Sequence, residues 1–469
     1  MTVPPFPGAP PFDLAIIGAG VVGCAIFREF TLAGLSTVLI ERGADILSGA
    51  SKANSALLHT GFDAIPGSLE AALVREGHAR YLALHRPLGL PLIESGAIVV
   101  AWNEADRAAL PGILARAHEN GVPDARMLSP EEVRAREPHL AADQQGGVWV
   151  PGEAIIDPWS APLAYVHQAL AHGGTLLRQA AVTGGEAGPE GWRLATSQGP
   201  VQARVVVNCA GLQGDLVEAI ARPSPFAIRP RKGQFVVLDK TASRLASAII
   251  LPVPNERTKG VVIARTAFGN LLVGPTAEEQ EEREAATVEL AALEALLAQG
   301  RRMIPALADE PVTTTYAGLR PATQFKDYQI EALPERRWIT VGGIRSTGLT
   351  GSLGIAAHLA RLYVRHFGPL TPLPEPRWTP VPNLAESAPR PWQQPGRDEV
   401  VCHCEMVTRA EILAALEGSL PAGDLGGLKR RTRCMMGRCQ GFYCTRRLMA
   451  LAAGRLPGLV QPAPVQEAG

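Results

Sequence analysis

Five cysteines, Cys402, Cys404, Cys434, Cys439 and Cys444, crowd one short stretch of a chain that has only seven. Thiolates gathered like this bind a soft metal centre, either an iron–sulfur cluster or zinc. An all-cysteine [2Fe–2S] cluster takes four thiolates, so one of the five is surplus. Cys402 and Cys404 straddle a single residue, so both can point the same way from an extended turn. Cys439 and Cys444 flank Gln440-Gly441 on a second loop. Spacing also allows Cys434 with Cys439. Cys24 and Cys209 stand alone and read as small buried apolar residues.

A second centre of chemistry lies far from the first. Asp13–Ile17 is a short apolar strand, and Gly18-Ala-Gly20-Val-Val22-Gly23 follows at once. A helical pattern runs to a stop at Gly34, and Ser36–Ile40 forms the next strand, ending at Glu41. A GxGxxG run in this strand–turn–helix–strand setting is a dinucleotide site. Gly18 permits the tight turn, Gly20 the approach of a pyrophosphate, and Gly23 close packing of helix on strand. The helix N-terminus offers free N–H groups to phosphate, and Glu41 would accept from the ribose. Val22, Arg42 and Val182 are counted with this site. Gly184–Gly188 is not a second fingerprint, because it does not lead from a long apolar strand into a helix. One dinucleotide, with further contacts from Ala210, Gly211 and residues 343–350, points to FAD rather than to NAD with FAD. Flavin and a thiolate-held cluster in one chain imply that electrons leave the flavin singly.

These residues need elements to position them. Arg204–Gly211 reads as a strand ending in small residues, and Trp338–Val341 as a strand opening into Gly342–Gly351 and an apolar helix. Strand-like runs at Gln234–Leu238 and Gly260–Ala264, with an acidic, Ala-rich helix over about 278–299, read as inserted material. The expected fold is α/β: a Rossmann-like FAD-binding domain (12–90, 150–215 and 336–368) with an inserted mixed α/β substrate domain (91–149 and 216–335). A Pro-rich linker (369–397), a small helical [2Fe–2S] module (398–456) and a tail (457–469) complete it. Thr408-Arg-Ala-Glu411 is a capping box that should start a helix just after Cys404. With 469 residues, 46% of them hydrophobic, the chain can bury large cores, and its 45 basic residues balance 45 acidic ones. That balance predicts no nucleic-acid partner. No cationic and apolar leader and no uninterrupted apolar stretch of membrane-spanning length is seen. The expected setting is cytoplasmic, with peripheral attachment at the inner face of the cell membrane left open.

With these segments in view, the chain resembles FAD-dependent oxidoreductases of the D-amino-acid oxidase superfamily over residues 12–368. Within it, the glycerol-3-phosphate dehydrogenase and L-2-hydroxyglutarate dehydrogenase branches are most similar. The resemblance rests on Ser48–Gly61, Gly318-Leu-Arg-Pro321, Gly343–Thr350 and, more loosely, Arg231-Lys-Gly233. The final module resembles the [2Fe–2S] domain of bacterioferritin-associated ferredoxin, through Val401-Cys-His-Cys404 and Met436–Cys444. The same module also ends one of the subunits of anaerobic glycerol-3-phosphate dehydrogenase.

The resemblance implies roles. Ser51, Lys52, Asn54 and Ser55 would line phosphate, ribityl or ring, and Gly343, Ile344, Ser346, Thr347, Gly348, Leu349 and Thr350 would form the loop over the flavin's pyrimidine side. Cys402, Cys404, Cys439 and Cys444 would hold the cluster, with Cys434 where the family has a small apolar residue. Arg320 would hold the substrate's anionic group by paired hydrogen bonds, with Lys232 and Arg345 as further candidates. Arg345 would also stabilise negative charge on the reduced flavin, against a bland reading as a phosphate or backbone contact. His59 is a candidate base, with a structural histidine as the alternative. His403 reads as a neighbour of the cluster or a surface residue. Lys429–Arg433 would offset the cluster's charge, dock an acidic partner, or simply be solvated. The implied reaction is oxidation of the CH–OH of a small anionic substrate, glycerol 3-phosphate first, with hydride passing to flavin N5. Electrons would go on to the [2Fe–2S] centre and to a quinone-linked subunit or another carrier. An L-2-hydroxy acid or an amino or imino acid are alternative substrates. A redox-sensing or electron-transfer subunit with no substrate of its own is the alternative outside enzymes.

Overall fold

The computed structural model describes residues 10–254, 260–396 and 398–457; most of the expected tail lies outside them. An eight-stranded sheet has Phe12–Ile17 at its centre, paired in parallel with Thr37–Ile40 on one side and Gly199–Asn208 on the other. Its central strands are buried near-continuously rather than alternately, as in Leu14–Ile17 and Val205–Asn208, because both faces are covered: one by long helices, the other by Val217, Ile220 and Ala221 in and after the short helix Gly214–Glu218. Val21–Leu32, Ser160–Ala171 and Gly348–His366 are among the helices packed on it.

The second sheet has nine strands. It is drawn from Ala97–Val100, Arg126–Leu128 and Gly147–Val150 together with strands between Arg229 and Ala322. Its longest pairing, at one edge of the sheet, is antiparallel, Arg229–Leu238 against Val312–Ala322, with Arg231 opposite Arg320 and Gly233 opposite Gly318.

The structure departs from the sequence expectations in four places. Gln329–Leu333, assigned to the substrate domain, pairs with Trp338–Gly342 in the first sheet. The helix expected over 278–299 spans only Leu290–Met303, and Glu278–Glu279 is a short strand. Clustered acids make a poor helix, and here four of them meet cations instead: Glu278 and Glu289 share Lys232, Glu279 meets Arg231 and Glu284 meets Arg42.

The Pro-rich segment is not a free spacer. Backbone N–H groups of Thr371, Leu373, Val381 and Glu386 donate to carbonyls of Ala33, Leu32, Leu88 and Ala267, and Leu384 and Ala385 are buried against Phe268. The fourth difference is the basic run, which is neither solvated nor a partner site. Arg431 forks onto the buried carboxylate of Asp45 at 2.5 and 3.0 Å, Arg430 donates to the Ile46 carbonyl, and Arg433 donates to Glu405 while its guanidinium lies 3.7 Å over the Phe268 ring. The run therefore pins the C-terminal module to the sheet that carries the GxGxxG turn.

His167 also belongs to this contact, with Nδ1 3.3 Å from the Ser419 hydroxyl. Burial, reinforced by Arg431, pushes its pKa down to about 4. The docked imidazole is neutral, whereas a released one takes up a proton near its ordinary pKa of about 6.5. Docking should therefore weaken as pH falls through that window. Amide protection in the helix Leu425–Thr432, measured relative to the intrinsic exchange rate at each pH, should fall between pH 7 and pH 5, and His167→Gln should flatten the dependence.

Candidate active site

A cleft of about 1290 Å³ runs between the two sheets. One end is the dinucleotide fingerprint. Gly18 adopts a φ of +103°, and a Cβ on Gly23 would stand 1.9 Å from the Gly18 carbonyl oxygen, so both positions exclude side chains. The Glu41 carboxylate accepts from the N–H groups of Ala19 (2.8 Å) and Gly43 (2.7 Å). A carboxylate has about four lone-pair sites, so acceptor capacity remains for a ribose. The Val21 N–H donates to the Ser51 hydroxyl at 3.0 Å, which ties the flavin-loop segment to the start of the helix.

The loop Gly343–Leu349 closes the cleft's other wall. The Thr347 hydroxyl donates to Glu70 at 2.6 Å and accepts from the Tyr328 hydroxyl, and Arg345 reaches Glu70 at 3.4 Å. Glu70 is buried on the helix Leu69–Leu84, whose first N–H groups donate to Asp327. Thr350 faces away from the cleft: its hydroxyl accepts from the His59 N–H and donates to the Leu57 carbonyl.

His59 lines the cleft. Its Nδ1 lies 2.9 Å from Glu153, a fully buried carboxylate that also accepts from the Thr60 N–H and hydroxyl. An ionised carboxylate only accepts, so Nδ1 carries the proton in this contact.

Arg320 lines the cleft where the strand Val312–Ala322 passes against the flavin loop: a Cβ on Gly318 would come within 2.8 Å of Ala53, and the Tyr316 hydroxyl donates to the Asn54 carbonyl at 2.7 Å. Its guanidinium makes only long contacts, 3.4 Å, to the Thr276 carbonyl, and has no carboxylate partner among the described residues. Burial and the neighbouring Arg231 push its pKa down to about 10, which still leaves it charged at neutral pH.

Lys232 is corrected by the structure. Successive strand residues face opposite sides, so Arg231 lines the cleft beside Arg320 while Lys232 lies on the far side, paired with Glu278 and Glu289. Gly23 also lies outside the lining, where it packs helix on strand. The other expected cofactor residues (Gly18, Gly20, Val22, Glu41, Arg42, Ser51, Lys52, Asn54, Ser55, Val182, Ala210, Gly211, Gly343, Ile344, Ser346, Thr347, Gly348 and Leu349) and Arg345 lie along the one cleft. Sequence reading missed Arg231, Glu70, Glu153 and Lys326. Of these, Arg231 had a signal, since it is the other half of a strand alternation. Cys24 and Cys209 are buried, with burial pushing both thiols up, which suits packing rather than redox chemistry.

In the C-terminal module Thr408 and Glu411 form the expected capping box, and His403 is exposed. Cys402, Cys434 and Cys444 are buried, whereas Cys404 and Cys439 are part-exposed. Cys402 contacts Cys434 and Cys444, and Cys404 contacts Cys439. Among the described residues no three acidic, His or Cys side chains converge as for a single metal ion. One thiolate pair, Cys404 with Cys439, and a second made by Cys402 with Cys434 or Cys444, suit a two-iron centre in which each iron takes two sulfurs. Cys434 is closer to this group than a bystander need be. If the other four are the ligands, Cys434→Ala leaves the cluster's absorbance and EPR signal in place; loss of iron would move the ligand set onto Cys434.

The cleft, its fingerprint and the docked thiolate module define a flavin-dependent oxidoreductase with an iron–sulfur domain. Residues 13–362 match the FAD dependent oxidoreductase family, and the chain belongs to it. Residues 400–453 match the BFD-like [2Fe-2S] binding domain. The cofactors are thus FAD and a [2Fe–2S] cluster. The chain is 32% identical to glycerol 3-phosphate dehydrogenase of Caloramator mitchellensis, over 95% of this chain and 94% of that protein. It is 27% identical to one of the subunits of anaerobic glycerol-3-phosphate dehydrogenase of Escherichia coli (strain K12), over 94% of this chain and 87% of the other. Among solved structures, dithionite-reduced L-alpha-glycerophosphate oxidase from Mycoplasma pneumoniae with FAD bound superposes with a TM-score of 0.74. It is 27% identical, covering 80% of this chain and all of that one. No helix among the described residues is long and apolar enough to cross a membrane.

Proposed function

We propose that this chain is a glycerol 3-phosphate dehydrogenase that delivers the electrons through its C-terminal module to a downstream carrier. The observation that carries the substrate reading is the pair Arg231 and Arg320, side by side at one strand register and both on the cleft. Arg231 already meets the exposed Glu279, so Arg320 is the cation of the two without a carboxylate partner among the described residues, and an anion entering the cleft meets both guanidiniums. A phosphate dianion offers three acceptor oxygens and two charges to both forks, where a carboxylate offers two oxygens and one charge.

Bound FAD supplies the hydride acceptor, and the [2Fe–2S] cluster an acceptor for single electrons. The protein's own part is positioning and proton transfer. Arg320 and Arg231 fix the phosphate end, which leaves the carbinol end directed toward the flavin loop and His59. The His59 imidazole takes the hydroxyl proton, and Glu153 steadies the imidazolium through Nδ1. Arg345, braced by Glu70, presents its cation on the opposite wall of the cleft.

The module's firm docking through Arg430, Arg431 and Arg433 supports an electron exit within one chain. The experiment is anaerobic flavin bleaching by a panel of glycerol 3-phosphate, L-2-hydroxy acids and amino acids. Glycerol 3-phosphate should bleach the flavin fastest. Bleaching led by an L-2-hydroxy acid or an amino acid would reassign the substrate, and bleaching by none would remove the dehydrogenase reading.

A further inference from the structure

We propose that Phe442 and Tyr443 form the docking surface for a small acidic protein that carries single electrons. The proposal rests on the electron exit argued above and deepens it by naming where that exit lies.

Phe442 and Tyr443 are 82% and 77% exposed, and their rings meet edge to face at 5.2 Å. Leaving two large rings in water is unfavourable for a surface that meets only solvent, and adjoining exposed aromatics mark interaction sites. Their place in the chain gives the contact a purpose. Both sit on the loop between Cys439 and Cys444, so a partner resting on them comes close to the thiolate group.

The faces of the module divide the work. The face carrying Arg430, Arg431 and Arg433 is committed to the flavin-binding body. The part-exposed thiols are Cys404 and Cys439, while the other three are buried. The start of the Cys439–Cys444 loop also touches that body, through Arg438 on Asp239 and Gln440 on Thr314, so Phe442 and Tyr443 are the part of the loop left for a partner.

Charge selects the occupant. Arg438, Arg446 and Arg447, each within four residues of one of the two rings in the chain, are exposed. Arg438 is paired with Asp239 and Arg447 with Glu399, whereas Arg446 has no carboxylate partner among the described residues. An apolar centre with a basic rim fits a partner with an apolar centre and an acidic rim, and the charges would steer its approach.

The test uses dithionite-reduced holoprotein mixed anaerobically with oxidised rubredoxin, a small acidic one-electron carrier. Basic cytochrome c is the charge-opposed control. Binding to immobilised rubredoxin is measured in parallel. Native protein should bind and reduce rubredoxin with a rate that falls as salt is raised. Phe442→Ser with Tyr443→Ser should weaken binding and raise the half-saturating rubredoxin concentration about tenfold, with cluster absorbance retained. Arg446→Glu should weaken rubredoxin binding at low salt and lose the effect at high salt.

Unchanged binding and rates in both variants would overturn the proposal, as would a preference for cytochrome c at low salt. So would native protein that reduces a small dye but not rubredoxin. Loss of a homodimer or of vesicle binding in the double variant, with rubredoxin unaffected, would assign the rings to another occupant and overturn it too. Because dithionite supplies the electrons, failure of glycerol 3-phosphate as substrate leaves this result intact and readable on its own.

Discussion

Arg320→Ala should raise the KM for glycerol 3-phosphate by a few hundredfold while changing kcat far less. Removing one member of a desolvated, hydrogen-bonded charge pair costs about 3–4 kcal/mol, which is roughly that factor. The loss falls on KM because the phosphate is held alike in ground and transition states. The same substitution should raise the thermal stability of the protein without substrate. In that state Arg320 has no carboxylate partner among the described residues and faces Arg231, so its removal relieves a repulsion. Arg320→Lys should fall between, since it keeps the charge and loses the fork. Steady-state kinetics and a melting curve on the same sample check both halves. An unchanged KM would remove Arg320 from the substrate site.

Gly427→Ala should separate the two halves of the reaction. A Cβ at Gly427 would stand 1.6 Å from Asp45 Oδ2. That carboxylate is fully buried and already receives Arg431 and the Gly423 N–H, so it has nowhere to retreat. The contact between module and flavin-binding body must open. Glycerol 3-phosphate should still bleach the flavin at the native rate, because nothing in the cleft is touched. Cluster reduction should fall to background. Asp45→Asn, which keeps the shape and weakens the pair with Arg431, should give a partial loss. Stopped-flow absorbance for the flavin and rapid-freeze EPR for the cluster separate the two. Native cluster reduction in Gly427→Ala would show that this docking contact is not what brings the centres together.

The two substitutions also show what could be read from the chain alone. The dinucleotide turn was legible because its whole logic is local: Gly18, Gly20, Gly23 and Glu41 follow from one strand–helix–strand unit. The same holds for the Thr408–Glu411 cap. Arg320 was legible through a short motif. The cation beside it on the cleft was not, because Arg231 and Lys232 are adjacent and only the pleat of the strand decides which one meets the cleft. Glu153 lies 94 residues from His59, and Glu70 lies 277 from Thr347, so no spacing could join them. The basic run shows the limit most clearly. Residues 429–433 look like a solvated or partner-seeking face, yet Asp45, Ile46 and Phe268 take up most of its cations. The acidic helix failed for the mirror-image reason, since four of its carboxylates turn to Arg42, Arg231 and Lys232.

The central claim, one chain that takes electrons from glycerol 3-phosphate and passes them to its own cluster, has one direct test. Holoprotein is titrated anaerobically with glycerol 3-phosphate while flavin absorbance and the EPR spectrum are recorded on the same sample. The account predicts flavin bleaching together with a reduced [2Fe–2S] signal that appears in step with it. Bleaching with a cluster that stays oxidised until dithionite is added would contradict the electron exit, and zinc in place of iron in the same sample would remove it altogether.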